Sequence, residues 1–361
     1  MADIAKKYAE AGQFDQALEV ARAIEDPYYR SQALTYIAGK YEEAGIKAEA
    51  SSTLSQSIEA IKTIKDPSSR VSALTEIALT YAKSGMGRKA SEILSQALKV
   101  AKTEMVDNLV FKSKSRAFAN IATKYTEVDQ FDRALRVARA IKDPDYKSDA
   151  LANIAVKYAE AGQFDQALKI VRAIKDCDKK FSALADIACR YAEAGQYDRA
   201  LEVARTIKDP DYKSDALANI AVKCAQAGMS TQASEILSQA FELAKTTSEL
   251  DALTNIAVKY AEIGMSEKAS AILSEAIELA KDEAVTAAAL FPKLALHWLT
   301  IKLAEIAKKY AEAGQFNQAL ELTRGVEDAY YKSQALVYIA SKYEEHGKQS
   351  VSYTHLTLPT N

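Results

Sequence analysis

Asn120, Asn153, Asn219 and Asn255 recur at one place in a repeating pattern, five residues before the pattern's Tyr position, with Asp186 between them. Glu76 and Glu305 hold the same place further out. An amide offers a donor and an acceptor at once, so a row of Asn suits a peptide backbone whatever its side chains. The same row also arises if Asn merely solvates a helix face and is copied by duplication. A second row, Arg22, Arg139, Arg172, Arg205 and Arg324, suits phosphate or acidic ligands, or a solvated face paired with nearby loop Asp residues. Cys177, Cys189 and Cys224 follow no metal-ligand spacing and read as reduced thiols of a cytoplasmic protein. His297 and Trp298 are adjacent but make no acid–base pair. There is no Gly-rich phosphate loop, no paired His at metal spacing and no nucleophile elbow. The residues therefore predict no catalytic site, no metal and no cofactor: a binding protein rather than an enzyme.

The totals agree. The 361 residues are 48% hydrophobic and 27% charged, normal for a folded chain. A net charge of −2 gives no broad field for nucleic acid or an anionic membrane, so neither is expected as a partner. No apolar run reaches the roughly eighteen residues of a membrane span.

The elements that position the Asn row come from one unit, clearest in DPDYKSDALANIAVKYAEAGQFDQALKIVRAIK at 143–175. Asp143 is a natural N-cap and Pro144 suits the first helical position. Ala150, Leu151, Ile154, Ala155, Tyr158 and Ala159 form an apolar stripe at helical spacing, and Gly162 suits the left-handed residue that ends a helix. Phe164, Ala167, Leu168, Val171 and Ile174 form a second stripe. Neither helix can bury its stripe alone, so copies must stack.

The Ile of this unit recurs at 4, 37, 77, 121, 154, 187, 220, 256, 306 and 339, with Gly eight residues later everywhere except at Asp129. An Ala follows five residues beyond that, from Ala17 to Ala319. The count predicts ten first helices and nine second helices, an all-α solenoid over residues 1–347. Small residues such as Ala155 and Ala167 let helix axes approach closely. Units are of two kinds. Short ones carry the Arg row; long ones carry Ser55, Ser95, Ser238 or Ser274 in its place and gain about one turn. KDPDYKSDALANIAVK occurs twice, at 142–157 and 208–223, which marks a duplication.

Two stretches break the pattern. Around 282–300 the chain predicts an extra or extended helical segment, with Pro292 as its divider and Leu290, Phe291, Leu294, Leu296, Trp298 and Leu299 as an apolar patch. At the ends, the pattern opens mid-stripe at Met1 and stops at Gly347, as in a fragment truncated on both sides. Residues 348–361 read as a non-native, disordered tail, and VSYTHLTLPT at 351–360 looks like a translated sequencing adapter.

Tyr158-x-x-x-Gly162-x-Phe164-x-x-Ala167, preceded by Ile154-Ala155, resembles the tetratricopeptide repeat (TPR) family. Leu151, Leu34, Leu184 and Leu217 stand where that family has Trp, Phe118 does so once, and the period is 33 rather than 34. The resemblance implies a right-handed superhelical solenoid whose concave wall, lined by first helices, binds peptides or proteins. It places Asn120, Asn153, Asp186, Asn219 and Asn255 on that wall, like the asparagine ladder some members use to hold an extended peptide. Its other role, a sensor or regulatory arm of a larger multidomain enzyme, is the alternative. The Lys positions of the family's chaperone-tail clamp are not met: Asp149, Ala152, Ser182 and Ala185 stand there.

Overall fold

Aspartate side chains start the helices. In a computed structural model that describes residues 1–107, 112–247, 250–289 and 291–356, the Asp143 carboxylate accepts from the amides of Asp145 and Tyr146. Asp26, Asp66, Asp209 and Asp328 cap their own helices in the same way. Pro27, Pro67, Pro144 and Pro210 follow at the first helical position, where no amide is needed.

Nineteen helices result among the described residues. The first helices of the pairs are α1 (Ala2–Glu10), α3 (Pro27–Glu43), α5 (Pro67–Lys83), α7 (Ser113–Glu127), α9 (Pro144–Glu160), α11 (Cys177–Glu193), α13 (Pro210–Gln226), α15 (Leu250–Glu262), α17 (Pro292–Glu312) and α19 (Ala329–Leu356). Between them run α2 (Phe14–Arg22), α4 (Lys47–Lys62), α6 (Gly87–Glu104), α8 (Phe131–Arg139), α10 (Phe164–Val171), α12 (Tyr197–Thr206), α14 (Ser230–Thr247), α16 (Ser266–Ala288) and α18 (Phe316–Arg324). The all-α helix-pair repeat is therefore present, ten first helices and nine second. Contacts divide the chain into two compact bodies, Met1–Ala183 and Leu184–Asn361.

Left-handed residues end the first helices. Gly162 has φ 73°, its amide donates to Ala159 O, and Gln163 N reaches back to Tyr158 O at 2.8 Å. That pair of bonds closes the helix as a Schellman motif. Asp129, which replaces glycine, adopts φ 57° and makes the same two bonds, to Thr126 O and, through Gln130 N, to Tyr125 O. A side chain in this region is strained where Gly is not. Asp129→Gly is expected to stabilise the chain by about 0.5–1 kcal/mol, read as a shift in urea midpoint at unchanged slope.

The second helices are where length differs. Short ones span 8–10 residues and long ones 16–23. The gain is about two turns or more, not the single turn read from the sequence, because the long stripes run on through their Lys before any stop signal. Residues 282–300 build no separate helix between the pairs: they lengthen α16 and α17, and Pro292 opens α17. Residues 348–356, set apart in the sequence as a tail, continue α19 with Gly347 inside it, since no proline intervenes before Pro359. Residues 357–361 lie outside the described ones.

Alanine sets the packing. Ala17, Ala50, Ala90, Ala134, Ala167, Ala200, Ala233, Ala269 and Ala319 are all fully buried. So are the Ala residues that follow the repeat Ile from Ala5 to Ala307. Tyr supplies the variable joint. In short pairs, Phe14 stacks on Tyr41 at 4.1 Å and Phe131 packs on Tyr158 at 4.5 Å between centroids. In long pairs the Ser that replaces Arg meets the next Tyr hydroxyl: Ser95 with Tyr125 and Ser238 with Tyr260, both at 3.1 Å, and Ser274 with Tyr310 at 3.2 Å. The Ser95 and Ser238 hydroxyls already donate to Ser91 O and Ser234 O, so the phenol is the donor. Short and long units thus differ by a joint exchange, Phe with Arg against Ser.

Candidate peptide-binding wall

Each residue of the Asn column sits one place before a core isoleucine. Ile121, Ile154, Ile187 and Ile220 have no exposed surface and Ile256 has 1%, which fixes the rotation of α7, α9, α11, α13 and α15. One residue back along a helix turns about 100° away from that core. Asn120, Asn153 and Asp186 are accordingly exposed, and Asn219 and Asn255 half-buried. In the first body α7 packs beside α9, which makes Asn120 and Asn153 neighbours along one row. In the second body α13 packs beside α15, and Asn219 and Asn255 are related in the same way. The four amides make no hydrogen bond to another described residue.

The same column position lines grooves elsewhere in each body. Asn255 and Glu305, on α15 and α17, share a groove of about 370 Å³ with Thr254, Lys302 and Lys309. Lys302 spans it, 3.2 Å from Asp251 and 3.0 Å from Glu305. In the first body Tyr36 and Glu76, on α3 and α5, share a groove of about 600 Å³ with Lys6, Gln32 and Lys40. Gly39 stands on the floor of that groove without a side chain.

Tyr36 and Tyr338 belong to the column but were not singled out in the sequence; carrying the ruler across all ten units finds them. Tyr36 donates to Glu10 Oε1 at 2.7 Å, with Lys6 and Lys40 Nζ 5.7 and 5.8 Å from its ring centre. Tyr338 repeats the arrangement with Glu312 at 2.8 Å, Lys308 and Lys342. Both phenols are raised: Tyr36 chiefly by its hydrogen bond to Glu10, and Tyr338 to about 12 by burial and then by Glu312. They stay neutral donors at physiological pH.

Glu76 is open to solvent on one side, yet the groove walls desolvate it and push its carboxyl above the usual range, against the opposing Gln32 bond and the charges of Lys6 and Lys124. A raised carboxyl binds more protons in the folded chain than in the unfolded one, so stability falls as pH rises through that window. Glu76→Gln is expected to raise the melting temperature at neutral pH and to leave it unchanged at acid pH, which paired thermal melts would show.

The Arg row lies elsewhere. Arg22, Arg139, Arg172, Arg205 and Arg324 are exposed on or just after the second helices. Among the described residues they form no ion pair with loop aspartates, contrary to the sequence reading; those carboxylates are used instead on backbone amides as caps. Arg22 donates to Gln56 at 3.1 Å. Of the apolar patch, Phe291, Leu294 and Leu296 are 63%, 64% and 52% exposed, Trp298 and Leu299 are half-buried, and Leu290 lies outside the described residues. His297 meets the Tyr331 ring edge-on rather than an acid or base. No cluster of three potential metal ligands occurs among the described residues, and none of their helices is long and apolar enough to cross a membrane.

No family model and no curated protein matches the chain. Among solved structures it is similar to Ton1535 from Thermococcus onnurineus NA1, at 18% identity over 93% of this chain and 98% of that one, with a TM-score of 0.41. It is also similar to the apo form of the quorum sensor NprR from B. thuringiensis, at 16% identity over 90% and 96%, TM-score 0.31. A third is a Podosopora anserina putative kinesin light chain with nearly identical TPR-like repeats, at 20% identity over 52% and 100%, TM-score 0.32. The assignment of this chain to helix-pair repeats rests on its own nineteen helices.

Proposed function

We propose that this chain is a protein-interaction scaffold that holds an extended peptide segment along its first-helix wall. The observation that carries the reading is the column itself. Asn120, Asn153, Asn219 and Asn255 keep their amides free of other described residues, and the equivalent positions of adjacent helices line shared grooves in each body. Each amide has a donor and an acceptor left for a peptide unit. Recognition through backbone makes sequence preference weak, with neighbouring wall residues such as Tyr36 and Lys302 adding what preference there is. Asp186 marks a break in the run of amides.

The test is capture from a displayed peptide library, followed by affinity measurement on the intact chain and on Asn153→Ala combined with Asn219→Ala. Each lost amide is expected to weaken binding by about 0.5–1.5 kcal/mol, the net value of a typical hydrogen bond. Because these contacts are uncharged, affinity should change little with salt. Binding that survives the double change, or that collapses at moderate salt and requires Arg172, would move the site to the second-helix face.

A further inference from the structure

One repeat departs from the others at several positions, and the departures meet at a single cavity. At the place of Phe118 eight other units carry Leu, from Leu34 to Leu336. At the place of Arg133 the other short second helices carry Gln16, Gln166, Arg199 and Gln318; at that of Arg136 they carry Glu19, Lys169, Glu202 and Glu321. Only α8 has arginine at both. On α6 the change is indirect. Lys102 matches Lys62, Lys245 and Lys281 of the other long helices, but the Glu three residues before it (Glu59, Glu242, Glu278) is here Lys99. Elsewhere that Glu holds the lysine, at 2.6 Å for Lys62 and 2.8 Å for Lys281. In α6 that carboxylate is gone.

Phe118, Arg133, Arg136 and Lys102 line one open cavity of about 280 Å³ between α6 and α8, within the first body. Leu98, Val137 and the buried Phe118 ring give it an apolar floor, and the Ser95–Tyr125 hydroxyl pair stands at its edge. Arg133 is steadied by a hydrogen bond to the Ser91 hydroxyl. Among the described residues none of the three cations forms an ion pair. Glu104, at the end of α6, is taken by Arg70 at 2.9 Å. Unpaired guanidinium forks beside an apolar floor match a planar carboxylate on an apolar body.

We propose that this cavity binds a small apolar carboxylate, its charged group on Arg133 and Arg136 with Lys102 behind, and its apolar body on Phe118. A free aromatic or aliphatic acid and the C-terminal residue of a peptide present the same chemistry. The site lies between second helices and is separate from the Asn wall.

Calorimetry on the full chain tests it, with N-acetyl-phenylalanine as probe and N-acetyl-phenylalanine amide as the uncharged control. The acid is expected to bind about tenfold or more tightly than the amide, the worth of one charge-assisted hydrogen bond. Arg133→Gln with Arg136→Glu, which restores residues other repeats carry and so spares the fold, should remove that preference. Phe118→Leu should weaken the acid while keeping the preference. A short peptide ending in free phenylalanine and 4-phenylbutyrate, run side by side, separate the two sources by which binds better. Equal binding of acid and amide, acid binding unchanged in the double reversion, or inorganic phosphate competing as well as the acid would overturn the assignment.

Discussion

Ile77→Ala is expected to destabilise the chain by about 2–5 kcal/mol, the range for deleting a fully buried aliphatic side chain. Ile77 has no exposed surface and faces the packing between α5 and its neighbours α3, α4, α6 and α7. In a stacked repeat the loss should stay local, because each pair contacts mainly the next. Native-state hydrogen exchange should therefore quicken first in α3 to α7, while α13 to α18 keep most of their protection. Equal loss in every helix would indicate a single cooperative core instead of a stack.

The second large effect comes from adding volume rather than removing it. Ala50 is fully buried where α4 meets α3, in the place that is Ala in all nine second helices. Ala50→Leu inserts three carbons into a contact set by methyl groups and is expected to cost about 1–3 kcal/mol. Ala50→Gly, which relieves crowding but loosens the helix, should cost only about 1 kcal/mol. Denaturant melts of the pair decide it: a Leu variant as stable as the parent would mean that close helix approach is not what this alanine provides.

Most of the architecture was legible because its signals are local. An Asp-Pro start, an Ile-Ala stripe and a Gly eight residues later each act within one helix, and their repetition gives the count of helices. Asp129 shows how strong the signal is: the one position without glycine still takes the left-handed turn. What the sequence hid depends on which repeat meets which. That Ser95 receives the Tyr125 phenol is set by the stagger of one pair on the next, which no single helix encodes. The loop aspartates looked like partners for the Arg row because they are close in sequence, but the backbone amides they cap are closer still. Helix ends without a stop signal were also misjudged, as in α19, where Gly347 alone does not end a helix. Of the candidate wall, its phase relative to the core isoleucines was readable; the grooves beside Tyr36 and Asn255 needed the neighbouring helix.

The wall is tested most directly by photo-crosslinking. A photoreactive side chain is placed singly at Asn153, at Asn219 and at Gln166 on the second-helix face, and each chain is irradiated with a library-selected peptide. Single replacement leaves the other column amides in place, so binding persists. Crosslinks from positions 153 and 219 to the peptide, with none from 166, are the predicted result; crosslinking from 166 alone would contradict a peptide-binding first-helix wall.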